Sequence, residues 1–244
     1  MKNIKLILEY DGTGFAGWQF QPEQRTLQGE LEAAIKKISG EDLRVTASGR
    51  TDAGVHALGQ VVNFKTDAEM DAKAWLGALN HFMPPEMRAL EASEEPEEFN
   101  ARYSARGKQY GYIVLNRYIP SPLKRNYSWH IPMALDIDAM KEGAAHLLGE
   151  HDFTSFRAVN SDGVNPIRTL RLLEIQLDGN RIFFSLEASG FLRHMVRTVV
   201  GTLVEVGKGR FAPGDVKEML EARDRTKAGP TAPGQGLYLV NVEY

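Results

Sequence analysis

One order of elements is written twice along this chain. In the first half, apolar residues at Ile4, Leu6 and Leu8 alternate with polar ones and predict a strand over residues 1–10. The turn residues Asp11-Gly12-Thr13-Gly14 close it. Leu27, Leu31, Ala34, Ile35 and Ile38 then fall at helical spacing, behind Thr26 as a cap and ahead of Gly40 as a stop, so a helix is expected over 26–39. Strands follow over 43–48 and 60–66, a helix over 72–82 that ends before Pro84-Pro85, and a strand over 87–92. The second half begins with strands over 108–115 and 128–131, then a helix over 136–148 between Asp136 and Gly149. A hairpin turns at Asp178-Gly179-Asn180 between strands 169–178 and 180–188. Helices over 192–206 and 213–222, the latter begun by Pro213, and a strand over 237–244 complete it. Residue identity between the halves is weak, as in Leu31–Gly40 against Met140–Gly149, so the repeat is one of structure.

Mixed strands, helices and hairpins favour an α+β class over a doubly wound parallel sheet. The expectation is two ferredoxin-like (RRM-like) units, 1–104 and 105–244, with mixed or antiparallel sheets joined around a central active-site cleft. A length of 244 residues suits two domains of about half that size each.

Composition removes several classes of function. The chain has no cysteine, which excludes disulfides, thiolate metal sites and Cys nucleophiles. The charged, short first segment is no secretory signal, and no stretch approaches the roughly 18 apolar residues of a membrane span. A soluble cytoplasmic protein is expected. The formal net charge of −3 argues weakly against a nucleic-acid partner, but charge is unevenly spread. Glu91–Glu98 carries five glutamates, whereas 100–135 contains no Asp or Glu. That second stretch holds Arg102, Arg106, Lys108, Arg117, Lys124 and Arg125 among Tyr103, Tyr110, Tyr112, Tyr118, Tyr127 and Trp129. Cations for phosphates and rings for bases are what RNA recognition uses; a basic strand pair with half-buried tyrosines would look the same.

The chemistry-bearing stretch is Ser48-Gly49-Arg50-Thr51-Asp52-Ala53-Gly54-Val55-His56. It sets one carboxylate, Asp52, between glycines and two residues from Arg50, shortly before the strand-like run 60–64. A carboxylate displayed so at a sheet edge suits nucleophilic or proton-moving work. Thr-Asp-Ala-Gly is also ordinary turn chemistry. Asp52 and His56 are four apart, but the intervening Gly54 weakens a helical placement and no third ligand is near, so no metal is expected.

Taken whole, the ten residues Ser48 to Ala57, SGRTDAGVHA, resemble the catalytic motif of the tRNA pseudouridine synthase A family. Three further segments resemble it as well: Leu8 to Gln19, containing Tyr10-Asp11-Gly12-Thr13; Lys108-Gln109-Tyr110; and Gly190 to Arg197, GFLRHMVR. The resemblance implies that Asp52 is the essential residue, that Tyr110 stacks on the target base, and that Arg197 pairs with the carboxylate. Arg193 and Arg197 are four apart, which on one helix would put both on one face. His194 is expected to pack or cap, and Asp11 to hold a turn, though Asp11 is a rival carboxylate.

What the resemblance implies is isomerisation of uridine to pseudouridine in the anticodon stem-loop of tRNA, around positions 38–40. The base must leave its stack before C1′ or C5 can be reached. Arg50 could fill the gap or hold a phosphate. Asp52 would attack C1′ or remove the C2′ proton, and residue types do not choose between these. Atoms and electrons are conserved overall, so no cofactor is expected. The resemblance also implies a homodimer with tRNA bound across both subunits. Two other classes stand beside this one: a non-catalytic RNA-binding module, for which an acidic Asp52 is a poor choice, and a metal-assisted phosphoesterase using Asp52, His56 and Asp11.

Overall fold

The computed structural model describes residues 1–159 and 165–244. Among these are ten strands and five α-helices, an α+β protein with mixed sheet pairing. The chain groups into two compact units, 1–106 with 238–244, and 107–237.

The first unit runs β1 (Lys2–Tyr10), α1 (Leu27–Ser39), β2 (Thr46–Ala47), β3 (His56–Thr66), α2 (Ala72–Phe82) and β4 (Met87–Glu95), with β10 (Leu237–Glu243) arriving from the end of the chain. β1 lies antiparallel between β3 and β4, and β2 pairs antiparallel with β3. The order β4-β1-β3-β2 is that of a β-α-β-β-α-β ferredoxin-like sheet. Alternation on β1 points Ile4, Leu6 and Leu8 into the core, each fully buried. Thr26 caps α1 by accepting a hydrogen bond from the Gly29 amide, and Gly40 closes it in the left-handed region at φ 77°. Trp75 on α2 meets the edge of Phe64 on β3 at 5.0 Å, tying helix to sheet.

Two strands differ from the sequence expectation. β2 is two residues long, not six, because Val45 N–H donates to the Glu32 carboxylate on α1 and Arg44 pairs with the same group. Those groups are spent on a helix and not on a ladder. β3 starts four residues before Gln60, at His56. Ala57 opposes Tyr10 on one side, while Tyr238 and Leu239 of β10 run parallel to His56 and Ala57 on the other. The closing strand thus belongs with the first unit over 238–244, whereas sequence order alone put it with the second half.

The second unit comprises β5 (Gly107–Asn116), β6 (Trp129–Ile131), α3 (Ile137–Ala145), β7 (Gly149–Asp152), β8 (Ile167–Asp178), β9 (Arg181–Ala188), α4 (Met195–Gly207) and α5 (Asp215–Ala222). Its sheet order is β5-β9-β8-β7, antiparallel throughout, with β6 parallel to β5. α3 stops at Ala145, short of the expected Leu148, and β7, a strand the sequence did not suggest, begins at Gly149. The apolar run 192–206 could have served a subunit interface as easily as a core. It is core: from Val199 to Gly207 every residue of α4 is buried within the single chain. A helix apolar on all sides needs such a setting.

Candidate active site

In the first unit the site is built from β1 upward. β1 ends at Tyr10, and the chain turns at Asp11, whose Oδ1 accepts from the amide of Thr13 at 2.9 Å. The loop that follows lies directly on the backbone of the 51–55 segment. Two glycines make this close approach feasible. A Cβ on Gly12 would sit 2.1 Å from the Val55 carbonyl oxygen, and Gly17, at φ 101°, would put one 2.9 Å from the Thr51 carbonyl oxygen. The Trp18 amide then donates to that Thr51 carbonyl at 2.9 Å. The N-terminal signature is therefore the wall against which the motif rests, with Trp18 buried beneath it.

Asp52 opens a β-turn closed by Val55 N–H on the Asp52 carbonyl at 3.2 Å. Gly54 takes the third position with φ 74°, where the turn requires a positive angle. The Asp52 side chain is half-exposed, flanked by buried Thr51 and buried Val55. Arg50 is exposed on the same segment. The sequence placed the next strand at Gln60, beyond the motif. In the structure its last residues, His56 and Ala57, are instead the buried start of β3.

His56 is an interior group. Its Nδ1 accepts from the Gly12 amide at 3.1 Å and lies 3.2 Å from Asp11 Oδ1, and its ring stacks on Tyr238 with centroids 4.8 Å apart. His56 is held by the Gly12 amide, and Asp11 by the turn at 11–13, where its Oδ1 also accepts from the Thr13 hydroxyl. Among the described residues, no group of three His, Cys, Asp or Glu is placed to hold a metal ion.

Sequence reading missed a buried polar cluster beneath the motif. Gln60, fully buried on β3, accepts from Ser48 Oγ at 2.8 Å and donates to the Gly49 carbonyl at 2.7 Å. Tyr10 and Thr51 share a hydroxyl hydrogen bond of 2.8 Å. Burial pushes the Tyr10 hydroxyl up to about 12, although its bonds to Thr51 and Gln60 pull the other way. The available signal was a glutamine inside the apolar run Val61-Val62 and Phe64, a placement that demands partners.

The second unit carries the other expected residues. Tyr110 lies on β5, 8% exposed, with its ring edge-to-face against Phe191 at 5.1 Å. Tyr112, two residues on, is core: it is fully buried, meets Phe184 and Trp129 edge-on, and donates its hydroxyl to the Pro233 carbonyl at 2.7 Å. Burial raises the Tyr112 pKa far above its ordinary value, with the nearby Arg197 cation opposing. Arg197 is half-buried on α4 and donates Nε–H to the Ala232 carbonyl at 2.7 Å. Arg197 and Tyr112 thus hold adjacent carbonyls of one returning segment. Arg193 does not share the helix face with Arg197. α4 begins only at Met195, His194 turns the chain in the left-handed region at φ 64°, and Arg193 is exposed before it. The Arg193 carbonyl accepts from the Ala158 amide at 2.9 Å.

The basic, aromatic stretch divides as well. Tyr110 and Tyr112 turn inward, while the segment 117–128 exposes Tyr118, Leu123 and Tyr127 beside Lys124 and Arg125. Arg117 is spent bracing this loop, donating to the Ile119 and Pro120 carbonyls.

The family model described as tRNA pseudouridine synthase matches residues 6–104 and 144–244. A protein named tRNA pseudouridine synthase A from Thermoanaerobacter sp. (strain X514) is 46% identical over 244 residues, covering 100% of both chains. One of the same name from Moorella thermoacetica is 47% identical over 246 residues, again with full coverage of both. A third, from Halalkalibacterium halodurans, is 47% identical over 97% of this chain and 90% of its own. With motif, supporting wall and full-length similarity in agreement, the chain belongs to the tRNA pseudouridine synthase family of isomerases.

Proposed function

We propose that this chain converts uridine to pseudouridine in the anticodon stem-loop of tRNA, around positions 38–40, and that Asp52 begins the reaction on a flipped-out uridine. Arg50 fills the vacated stack or holds the backbone phosphate. Tyr110 replaces the lost stacking with a flat ring. Arg197 takes the role of the cation that favours the ionised carboxylate. Asp52 either attacks C1′ as the N1–C1′ bond breaks and is displaced when C5 of the turned uracil bonds to C1′, or removes the C2′ proton as the N1–C1′ bond breaks and returns it when C5 bonds to C1′. N1 gains a proton and C5 loses one, so the reaction balances without oxidant or cofactor. The resemblance further suggests a homodimer acting on tRNA in the cytoplasm. No helix among the described residues is long and apolar enough to cross a membrane.

The observation that carries this proposal is the Asp52 turn. A half-exposed carboxylate stands on a segment buried and hydrogen-bonded on both sides, in a chain similar along its length to proteins named for this activity. Tritium release from tRNA labelled at uracil C5 tests it. Wild type should release tritium and Asp52→Asn should not, while both bind tRNA. Turnover by Asp52→Asn would remove Asp52 from the chemistry. Binding without release by either protein would favour a non-catalytic RNA-binding module.

A further inference from the structure

We infer that Gln60 and Tyr10 are positioning residues for catalysis, forming a buried tether that fixes the segment 48–51 from which Asp52 projects. This rests on the proposed role of Asp52 and extends it to groups that do not touch substrate.

The geometry is specific. Gln60 is fully buried on β3 and its amide is used at both ends: Oε1 accepts from Ser48 Oγ at 2.8 Å, and Nε2 donates to the Gly49 carbonyl at 2.7 Å. A carbonyl can only accept, so the Gly49 contact sets the amide orientation. Nε2 also lies 3.4 Å from the Tyr10 hydroxyl, which shares its 2.8 Å bond with Thr51 Oγ1. The tether therefore grips Ser48, Gly49 and Thr51, three of the four residues that precede Asp52. Backbone bonds hold the same segment, from the Ser48 amide to the Val61 carbonyl at 2.8 Å and from the Trp18 amide to the Thr51 carbonyl at 2.9 Å.

Stability alone does not call for this arrangement. At a fully buried strand position followed by Val61 and Val62, a methionine of similar volume fills the space without an amide to satisfy. A polar network in the interior is costly unless every member is paired, and when paired it is rigid. Rigidity is what a catalytic carboxylate needs, since displacement by about 1 Å can cost on the order of 10²-fold in rate.

The test compares wild type, Tyr10→Phe, Thr51→Val, the Tyr10→Phe/Thr51→Val double variant, Gln60→Met and Asp52→Asn. Each is assayed for single-turnover tritium release from C5-labelled tRNA at saturating enzyme, for tRNA Kd by filter binding, and for Tm. Tyr10→Phe and Thr51→Val are expected to lower the single-turnover rate by roughly tenfold or more while Kd stays within about twofold. The double variant should be no slower than the slower single one, because both remove the same bond. Gln60→Met should lose at least as much rate; if it fails to fold, Tyr10→Phe, which removes one oxygen atom, carries the test alone. A wild-type rate in Tyr10→Phe and Thr51→Val, with Asp52→Asn inactive, would overturn the tether and leave the role of Asp52 intact. A lowered Tm with an unchanged rate for folded protein would reduce the cluster to a structural one and overturn the inference equally. Activity in Asp52→Asn would overturn the catalytic assignment on which it rests.

Discussion

In the stacking role proposed for it, Tyr110 would offer a base a ring that is already packed. It is 8% exposed and braced edge-on by Phe191, so its ring orientation is held by packing before any base arrives. A ring held in this way loses little freedom on stacking. Tyr110→Phe keeps the ring and the Phe191 contact and should retain tRNA affinity; any fall in single-turnover rate then belongs to the hydroxyl. Tyr110→Ala removes the ring and should lower the rate by roughly 5- to 150-fold, since stacking on an aromatic is worth about 1–3 kcal/mol per base. Equal rates for Tyr110→Ala and wild type would show that Tyr110 is only core. Arg197 is likewise anchored in advance, through Nε–H on the Ala232 carbonyl. A lysine has one donor head and cannot keep that bond while presenting a planar fork elsewhere.

At the scale of elements, the helix that carries Arg197 is positioned by the segment 228–233 laid along it. Thr202 Oγ1 accepts from the Gly229 amide at 2.9 Å, and the Ala232 amide donates to the Arg197 carbonyl at 3.0 Å. A Cβ at Gly201 would fall 1.8 Å from the Pro230 carbonyl oxygen, so backbone touches backbone at this point. Gly201→Ala must push the segment away and should destabilise the protein by about 1–3 kcal/mol, read as a lower urea midpoint. It should also slow catalysis, because the Ala232 carbonyl that holds Arg197 moves with the segment. A wild-type midpoint would mean that the segment yields freely. The boundaries of α1 and α2 were legible beforehand, since their signals are local: Thr26 and Gly40 for one, Pro84-Pro85 just beyond the end of the other. The start of α4 was not. The apolar residue Leu192 precedes Met195 without a break in pattern, and only the left-handed turn at His194 separates them.

For the molecule as a whole, paired carboxylates set the behaviour in acid. Hydrogen bonds from Thr66 hold Glu41 below its ordinary value, Arg25 does the same for Glu86, and Lys5 for Glu95. Burial alone would raise Glu205, but bonds from Lys208 and Arg210, at 2.7 and 2.6 Å, outweigh it and bring it down. Each of these groups has a lower pKa folded than unfolded, so the folded state binds fewer protons in acid. Their contribution is complete above the unfolded carboxylate value of roughly 4.3 and is lost as pH falls through the depressed folded values. The urea midpoint should therefore be flat from neutrality down to about pH 5 and fall below about pH 4. Glu205→Gln should lower the midpoint at neutral pH and shrink the acid-induced fall. An unchanged pH profile would mean that Glu205 gains nothing from its two partners.

Local chemistry in the sequence determined the element order apart from β7, the caps of α1, the buried alternation of β1 and the contiguous motif around Asp52, because each depends on residues within a few positions of one another. The family followed from the same contiguous motifs. Tertiary structure alone decided that His56 and Ala57 begin an interior strand, that 238–244 returns to lie beside them, and that His56 receives the Gly12 amide. It also decided what Gln60 is for. Its partners are 11 and 12 residues away along the chain, and Tyr10 is 50 residues away. A buried amide declares its need for partners in the sequence; which ones it finds depends on pairings across the sheet that no local pattern encodes.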